Sequence, residues 1–219
     1  NGKFNENIFI LNQNEFRSIK GNPFTYSLSP LIRSFFKKYP KYEKYSTPLA
    51  GSTTGDNDLF LRYFWEIQNP NSKDWPLYAK GNSDKYYNTI DTCINWQNEG
   101  EKIRNFSKST IASESYFYNE GINFNIICQN FDARYMPKNC IFDHAVVSIF
   151  ENKKDMNYDL GWINSTLFSY LLYLINPTVN HLPGDVKKIP YSIPNVETEH
   201  KISVLVKECI NIKKSKCTF

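Results

Sequence analysis

Glycine is scarce in this sequence, with 9 among 219 residues, and the glycine-rich signatures of several enzyme classes are missing. The chain contains no GxGxxG turn for a dinucleotide, no GxxxxGK[ST] loop for a nucleoside triphosphate and no GxSxG elbow for a nucleophilic serine. Residues 69–72 read Asn-Pro-Asn-Ser, which lacks the second proline and the aromatic residue of the loop that holds a flipped adenine in amino-methyltransferases. We therefore assign no catalytic residue to this chain.

Metal-binding residues are also few. The 3 histidines lie far apart, and the 5 cysteines form no CxxC pair and leave one thiol over, so neither a zinc site nor a disulfide framework is predicted. The longest apolar stretch, residues 167–175, is too short to cross a bilayer. The chain starts at Asn1 without a basic-then-apolar leader. These features favour a cytoplasmic location without membrane contact.

Aromatic residues, by contrast, are abundant. The hydrophobic fraction of 41% includes 16 Phe, 15 Tyr and 4 Trp, which is too much apolar surface to leave in water and predicts a folded domain with an aromatic-rich core. The net charge of +4 is compatible with a polyanionic partner. It falls short of the strongly basic balance of a dedicated nucleic-acid module, so charge alone decides little.

The residue patterns predict a mixed α+β fold, with a twisted mixed sheet flanked by short helices. Apolar and aromatic runs predict strands at residues 59–67, 92–96, 122–128 and 140–150. Helical periodicity and capping residues predict helices at 29–39, 100–106, 164–175 and 196–212. Within the first strand, Arg62 must either pair with a carboxylate such as Glu66 or emerge into a cleft, because an unpaired buried guanidinium is costly.

The predicted loops are rich in Gly, Asn, Thr, Arg, Lys and aromatic residues. Such side chains contact phosphates and base edges in DNA. Sugar-binding modules favour Trp, Tyr, Asn and Asp as well, so composition leaves DNA reading and carbohydrate binding open. A protein-interaction module is a further alternative, and an exposed apolar patch without a basic rim would favour it.

These clusters form an ordered series of short motifs. In chain order they are Gly21-Asn22-Pro23-Phe24 with Tyr26 and Leu28-Ser29, residues 51–66, Tyr78-Ala79-Lys80-Gly81, Asn95-Trp96 with Glu99-Gly100, Gly121-Ile122, Ala133-Arg134-Tyr135 with Pro137-Lys138, Ile141-Phe142-Asp143, and the run 160–190 with Asn176-Pro177-Thr178 and Gly184-Asp185-Val186. Their order resembles the C-terminal part of the PglX-like methyltransferases of bacteriophage-exclusion (BREX) systems, which are more distantly related to single-chain restriction-modification enzymes. Asn82 and Asn139 stand where glycine is expected in that family, and Ala79 stands where asparagine is usual.

This resemblance implies a target recognition domain, a lobe that faces a methyltransferase domain across a DNA-sized cleft. Residues 1–45 would be a connector after a missing methyltransferase domain, residues 46–195 the recognition domain and residues 196–219 a C-terminal helix. The implied function is sequence-specific recognition of double-stranded DNA for an adenine N6 methyltransferase in phage defence. S-adenosylmethionine is expected in the parent methyltransferase domain, with no cofactor in this chain. Expected partners are duplex DNA, that domain and other proteins of the defence complex.

Most of the candidate DNA-binding residues fall into three groups. A phosphate-binding role is predicted for the turn around Gly55 and for the basic loop around Gly81, although the turn is equally suited to strand entry. Changing Lys80 or Lys85 of that loop to alanine is expected to reduce, by about one unit, the slope of log binding constant against log salt concentration. The resemblance implies that Asp132, Arg134 and Tyr135 lie together in a loop that reads base edges, with Arg134 a candidate for reading a guanine. Together these loops are expected to form one concave, positively charged wall. The complete set is Thr54, Asp56, Asn57, Arg62, Lys80, Lys85, Asp132, Arg134, Tyr135 and Asn180.

Overall fold

The computed structural model describes residues 29–129, 131–151 and 155–217. The motif residues 21–28 lie outside these ranges. The helices are α1 Pro30–Lys38, α2 Asn57–Phe60, α3 Gln97–Arg104, α4 Asn157–Ile163, α5 Thr166–Ile175, α6 Pro183–Val186 and α7 Val196–Cys217. The strands are β1 Ser46–Ala50, β2 Leu61–Tyr63, β3 Leu77–Ala79, β4 Thr92–Ile94, β5 Gly121–Asn125, β6 Ala133–Met136, β7 Cys140–Phe142 and β8 Val146–Glu151.

The strands form two sheets of four strands each within the described residues, in the orders β1-β8-β5-β6 and β2-β4-β3-β7. The first sheet is antiparallel throughout. The second is mixed, because β3 pairs parallel with β7 and antiparallel with β4. The predicted mixed α+β class is confirmed, and its strands are divided between two sheets where one was expected.

The two sheets meet where the chain after β1 crosses the turn between β7 and β8. The Ser52 amide donates to the Phe142 carbonyl at 2.9 Å, and the His144 amide donates back to the Ser52 carbonyl at 3.0 Å. A Cβ atom at Gly51 would lie 1.9 Å from the Phe142 carbonyl oxygen. Only glycine allows this close approach of the two backbones.

Two apolar cores follow from this arrangement. One lies between the first sheet and the helices α4, α5 and α7, and it includes Ile122, Phe124, Leu160, Phe168 and Val206. The other lies on the second sheet, and β6 and β8 of the first sheet also contribute to it. It is rich in aromatic residues, as the composition predicts, and includes Phe60, Tyr78, Trp96, Phe117, Phe142 and Phe150.

The predicted helices agree with the structure at their capped ends. Ser29 caps α1 by accepting from the Ile32 amide at 3.3 Å, and Ser165 caps α5 by accepting from the Phe168 amide at 3.1 Å. The helix predicted at residues 196–212 extends to Cys217. Capping oxygens accept hydrogen bonds from the free amides of the first turn, so capping residues allow the start of a helix to be predicted from the sequence.

Two predicted strands were wrong in extent. Residues 59–67 contain only the short strand β2, since Asp56 caps the helix α2 just before it and a 3₁₀ turn, Phe64–Glu66, follows. Residues 140–150 are divided into β7 and β8 by a turn in which the Asp143 carboxylate accepts from the Ala145 amide at 2.7 Å. In both cases a side chain that bonds the local backbone interrupts an apolar run.

Candidate nucleic-acid interface

The turn between β1 and α2 uses most of its polar side chains internally. Thr54 is buried, and its hydroxyl donates to the Asn57 side-chain oxygen at 2.7 Å. Asp56 accepts from the Leu59 amide at 3.0 Å as the cap of α2. Thr54 and Asp56 therefore stabilise the turn, while the Asn57 side chain also lines an open cleft.

This cleft has a volume of about 440 Å³ and brings together two of the predicted cations, a size that falls within the range of small-ligand sites. Arg62 and Lys80 both line it. Arg62 lies on β2, and Lys80 directly follows β3 of the same sheet. The other lining residues are Asn57, Asp58, Leu61, Tyr63, Glu66 and Thr92.

Arg62 does not pair with Glu66, contrary to one of the two predicted alternatives. Its Nη1 donates to the carbonyls of Asp58 and Leu61, each at 2.6 Å. The Glu66 carboxylate instead accepts from the Tyr63 amide at 2.7 Å. The side chain of Arg62 is partly exposed, so it follows the other alternative and emerges into the cleft.

Lys80 and Lys85 belong to the same loop but differ in their surroundings. Lys80 follows β3 directly and is exposed, and within the described part of the chain its ammonium has no ion-pair partner. The Lys85 ammonium lies 3.7 Å from the Asp132 carboxylate. Lys80 is therefore the more available of the two for an anionic ligand.

Arg134 lies inside the domain and fastens the loop that carries both lysines. It is 3% exposed, and its guanidinium donates to the Asn82 carbonyl and, at 2.7 Å, to the Asn125 side-chain oxygen. The same Asn125 oxygen accepts from the Asn82 amide at 2.9 Å. Burial lowers the pKa of Arg134 to about 10, against the opposing effect of nearby Asp132. Arg134 is thus charged at neutral pH and engaged with protein groups.

Carboxylates are interspersed among these cations. Asp84 lies 2.9 Å from the Lys213 ammonium of α7, and Asp132 pairs with Lys85. Both carboxylates also act on the Arg134 guanidinium. Lys85 and Arg134 both interact with Asp132, so their positive charges are partly compensated, unlike the uniformly positive wall anticipated from the sequence.

Tyr135 occupies the opposite side of β6 from Arg134, because consecutive strand residues face opposite sides of a sheet. Its hydroxyl donates to the Glu120 carboxylate at 3.0 Å, and its ring lies 6.0 Å from the Lys214 ammonium of α7. Arg134 and Tyr135 are therefore strand residues that do not share a surface. The sequence interpretation placed them together in a loop.

Asn180 is exposed on a loop beside the Arg134 region. Its backbone forms a bridge with Ile127, and the neighbouring Val179 carbonyl accepts from the Cys128 amide at 3.0 Å. Ile127 and Asp132 line a second cavity, of about 270 Å³, together with Asn82 and Asn125. The structure thus brings Asn180 to the rim of the group that contains Lys85, Asp132 and Arg134.

Sequence reasoning missed Asn125 as a key acceptor, and it missed the exposed aromatic residues after β2. Asn125 ends the strand β5, and nothing in its local sequence indicates two long-range donors. Tyr63, Phe64 and Trp65 were expected to be buried in a strand, yet they are 47%, 43% and 62% exposed. The charged residues Arg62 and Glu66 on either side were the feature of the sequence that could have indicated this exposure.

The described ranges contain neither a cluster of potential metal ligands nor a helix that could span a membrane. No cluster of three or more His, Cys, Asp or Glu side chains within them is arranged to hold a metal ion. None of the helices found there combines the length and the apolar character that crossing a bilayer requires.

Comparison with known proteins identifies two relatives that match most of this chain. The chain is 30% identical over 216 residues to the adenine-specific methyltransferase BrxX of Escherichia coli strain HS, which covers 93% of this chain and 17% of that protein. It is 32% identical over 207 residues to the adenine-specific methyltransferase PglX of Lacticaseibacillus casei strain Zhang, and this match covers 84% of this chain and 17% of that protein. No family model matches the chain. These matches confirm the resemblance drawn from the motifs, and the chain spans about a sixth of the length of either relative.

Proposed function

We propose that this chain, a PglX-like segment related to adenine-specific methyltransferases, binds double-stranded DNA and helps to choose where a parent enzyme methylates adenine. The single observation that carries the proposal is the meeting of Lys80 and Arg62 in one open cleft beside the polar turn 54–57. Cations on loops supported by a rigid sheet are suited to phosphate contacts that set the register of a protein on a duplex.

The chemistry of methyl transfer is assigned to the parent protein outside this chain. S-adenosylmethionine would supply the methyl group there, and neither a glycine-rich cofactor turn nor a complete Asn-Pro-Pro-aromatic loop occurs in this sequence. Within such a parent, of the phage-exclusion or restriction-modification type, this chain would orient DNA and exclude non-target sequences. Other proteins of the defence complex are further proposed partners.

The proposal is tested by the salt dependence of DNA binding. Fluorescence anisotropy of labelled duplexes with the 219-residue chain should give a binding constant that falls with salt. Lys80→Ala should reduce the slope of the log–log plot by about one unit, since one phosphate contact is lost. Lys201→Ala serves as the matched control, because Lys201 pairs with Glu197 at 2.6 Å early in α7. Absence of measurable duplex binding, or equal slopes for Lys80→Ala and the unmodified chain, would reject the proposal.

A second candidate function, docking to the remainder of the parent protein, is favoured by helix α5. Its sequence, TLFSYLLYLI, has no charged residue, and it buries Phe168 and Leu171 while leaving Leu167, Tyr170 and Tyr173 exposed by 45%, 43% and 59%. A helix that is apolar on all sides is normally covered. About five-sixths of each relative lies outside the matched segment. The surface that would cover α5 is therefore expected in that remaining part of the parent protein.

Limited proteolysis of the full-length parent tests this docking. The double variant Tyr170→Glu/Tyr173→Glu should release the segment faster than the unmodified protein, because two buried carboxylates would weaken the contact. Val196→Glu is the control, since Val196 is 84% exposed at the start of α7. Identical cleavage of both variants and the unmodified parent would rule out α5 as a docking surface.

A further inference from the structure

Three consecutive aromatic residues stand exposed at the edge of the Arg62 cleft. Tyr63, Phe64 and Trp65 are between 43% and 62% exposed, although large aromatic side chains usually lie inside a protein or at an interface. We call this group the aromatic platform. An exposed apolar cluster of this kind marks a binding surface more often than chance.

The aromatic platform is ordered by its backbone. Tyr63 pairs with Thr92 in the sheet, the Phe64 amide donates to the Asp91 carbonyl at 2.8 Å, and the Glu66 carboxylate accepts from the Tyr63 amide. The rings of Tyr63 and Trp65 are parallel within 4°, with centroids 4.5 Å apart, and Phe64 meets Trp65 edge to face at 5.0 Å. Rings held in this way lose little additional entropy when a flat ligand stacks on them.

The cleft beside the platform offers both donors and acceptors. Tyr63 belongs to the cleft wall and to the platform at once, so the two are continuous. Asn57, Asp58 and Glu66 carry acceptor oxygens there, while Arg62 and Lys80 carry donors and positive charge. Base edges are recognised by such mixtures of amide, carboxylate and guanidinium groups. A positively charged groove beside aromatic side chains is also the arrangement that binds the nucleotides of an open strand.

We propose that the aromatic platform stacks against one unpaired base of DNA, with Arg62 at the edge of that base and Lys80 near the adjoining phosphate. This inference rests on the proposed DNA binding and adds to it a local preference for unstacked nucleotides. The two cations favour a nucleotide over a neutral sugar ring, because a sugar that stacks on aromatic rings needs no charge compensation. The carboxylates of Asp58 and Glu66 fit the amino groups of bases and not phosphate.

The experiment compares two labelled DNAs with the 219-residue chain: a fully paired duplex and the same duplex with one unpaired adenine. Trp65→Ala should weaken binding of the second DNA by about 5- to 160-fold, the range that corresponds to loss of one base stack, and change binding of the first by less than about twofold. Trp65→Phe should restore much of the loss. Leu205→Ala is the control, since Leu205 is a large apolar residue of α7 that is 60% exposed. Thermal unfolding of each variant verifies that the fold is kept.

The outcomes separate this inference from the proposed function. If the unmodified chain binds both DNAs and Trp65→Ala affects neither, the platform is rejected and duplex binding stands. If Trp65→Ala lowers the affinity for both DNAs equally, the platform is also rejected as a site for an unpaired base. If the unmodified chain binds neither DNA, the proposed function fails and the platform inference falls with it. Binding of neutral oligosaccharides that is lost in Trp65→Ala would overturn the inference in favour of a sugar site.

Discussion

The guanidinium of Arg134 donates to the side-chain oxygen of Asn125 at 2.7 Å, at the end of the neighbouring strand of the first sheet. Through the Asn82 carbonyl, the same guanidinium also holds the loop that leaves β3 of the second sheet. One buried side chain thereby links the two sheets at the place where Lys80 and Lys85 are presented. This favours a positioning role for Arg134 over the base-reading role predicted from the sequence.

Replacing Arg134 should therefore destabilise the domain. Arg134→Ala leaves the Asn82 carbonyl and the Asn125 side chain without their donor, and we expect the free energy of unfolding to fall by about 3 kcal/mol. Urea denaturation measures this loss. Lys85→Ala, which breaks only a partly exposed ion pair, should cost less than about 1 kcal/mol. A stable Arg134→Ala variant with relaxed preference at one base position would support base reading instead.

The pairing of Lys85 with Asp132 predicts an effect on affinity. Asp132→Asn removes a negative charge 3.7 Å from the Lys85 ammonium, so the lysine becomes free for phosphate and the local repulsion of DNA decreases. We expect tighter duplex binding at low salt and a steeper salt slope, by about one unit. Anisotropy titrations at several salt concentrations measure both. Weaker or unchanged binding would place Lys85 away from the DNA.

The contact between α4 and α7 predicts a steric effect at Gly161. A Cβ atom there would lie 2.9 Å from the γ2 methyl groups of both Ile202 and Val206, and these methyls cannot move away because they sit on branched Cβ atoms. Gly161→Ala should thus lower the free energy of unfolding, by about 1 to 2 kcal/mol, despite the better helix propensity of alanine.

Two variants check this reading of Gly161. In a double-mutant cycle, Gly161→Ala should cost less stability in a Val206→Ala background than in the unmodified chain, because one of the two clashing methyl groups is gone. Gly184→Ala is the control, since a Cβ at Gly184 meets nothing within 4 Å. If Gly161→Ala is as stable as the unmodified chain, the two helices are farther apart than described.

Buried tyrosines predict instability at high pH. Burial raises the pKa of Tyr42, Tyr78 and Tyr191 well above the ordinary value of 10.0, and nearby carboxylates raise it further. Above about pH 10 the unfolded chain therefore releases protons that the folded chain keeps, so stability is complete below pH 10 and falls as the pH rises. Three such groups give a slope of up to about 4 kcal/mol per pH unit.

Urea unfolding between pH 8 and 11.5, with tyrosinate absorbance recorded in parallel, measures this slope. Tyr78 donates to the Ser52 carbonyl at 2.9 Å, and Tyr78→Phe should reduce the slope by about 1.4 kcal/mol per pH unit because one titrating group is gone. Tyrosinate absorbance of these residues that appears before unfolding would contradict the assigned burial.

The sequence by itself determined the mixed fold class, the starts of α1 and α5, and the resemblance to PglX-like methyltransferases. These features depend on local causes, such as a serine that caps the first turn of its own helix or an ordered series of short motifs. The interactions or patterns behind each of these features involve residues that are close in sequence, so the amino-acid order is enough to predict them.

Only the tertiary structure decided which candidates meet. Arg62 and Lys80 come from segments separated by β3 and its preceding loop, yet they share a cleft. Arg134 and Tyr135 are adjacent in sequence and face opposite sides of β6, one toward Asn125 and the other toward Glu120. Whether a cation is free, paired or buried depends on partners supplied by distant strands and by α7. Such long-range pairings are fixed by sheet register and helix packing, which no local pattern encodes.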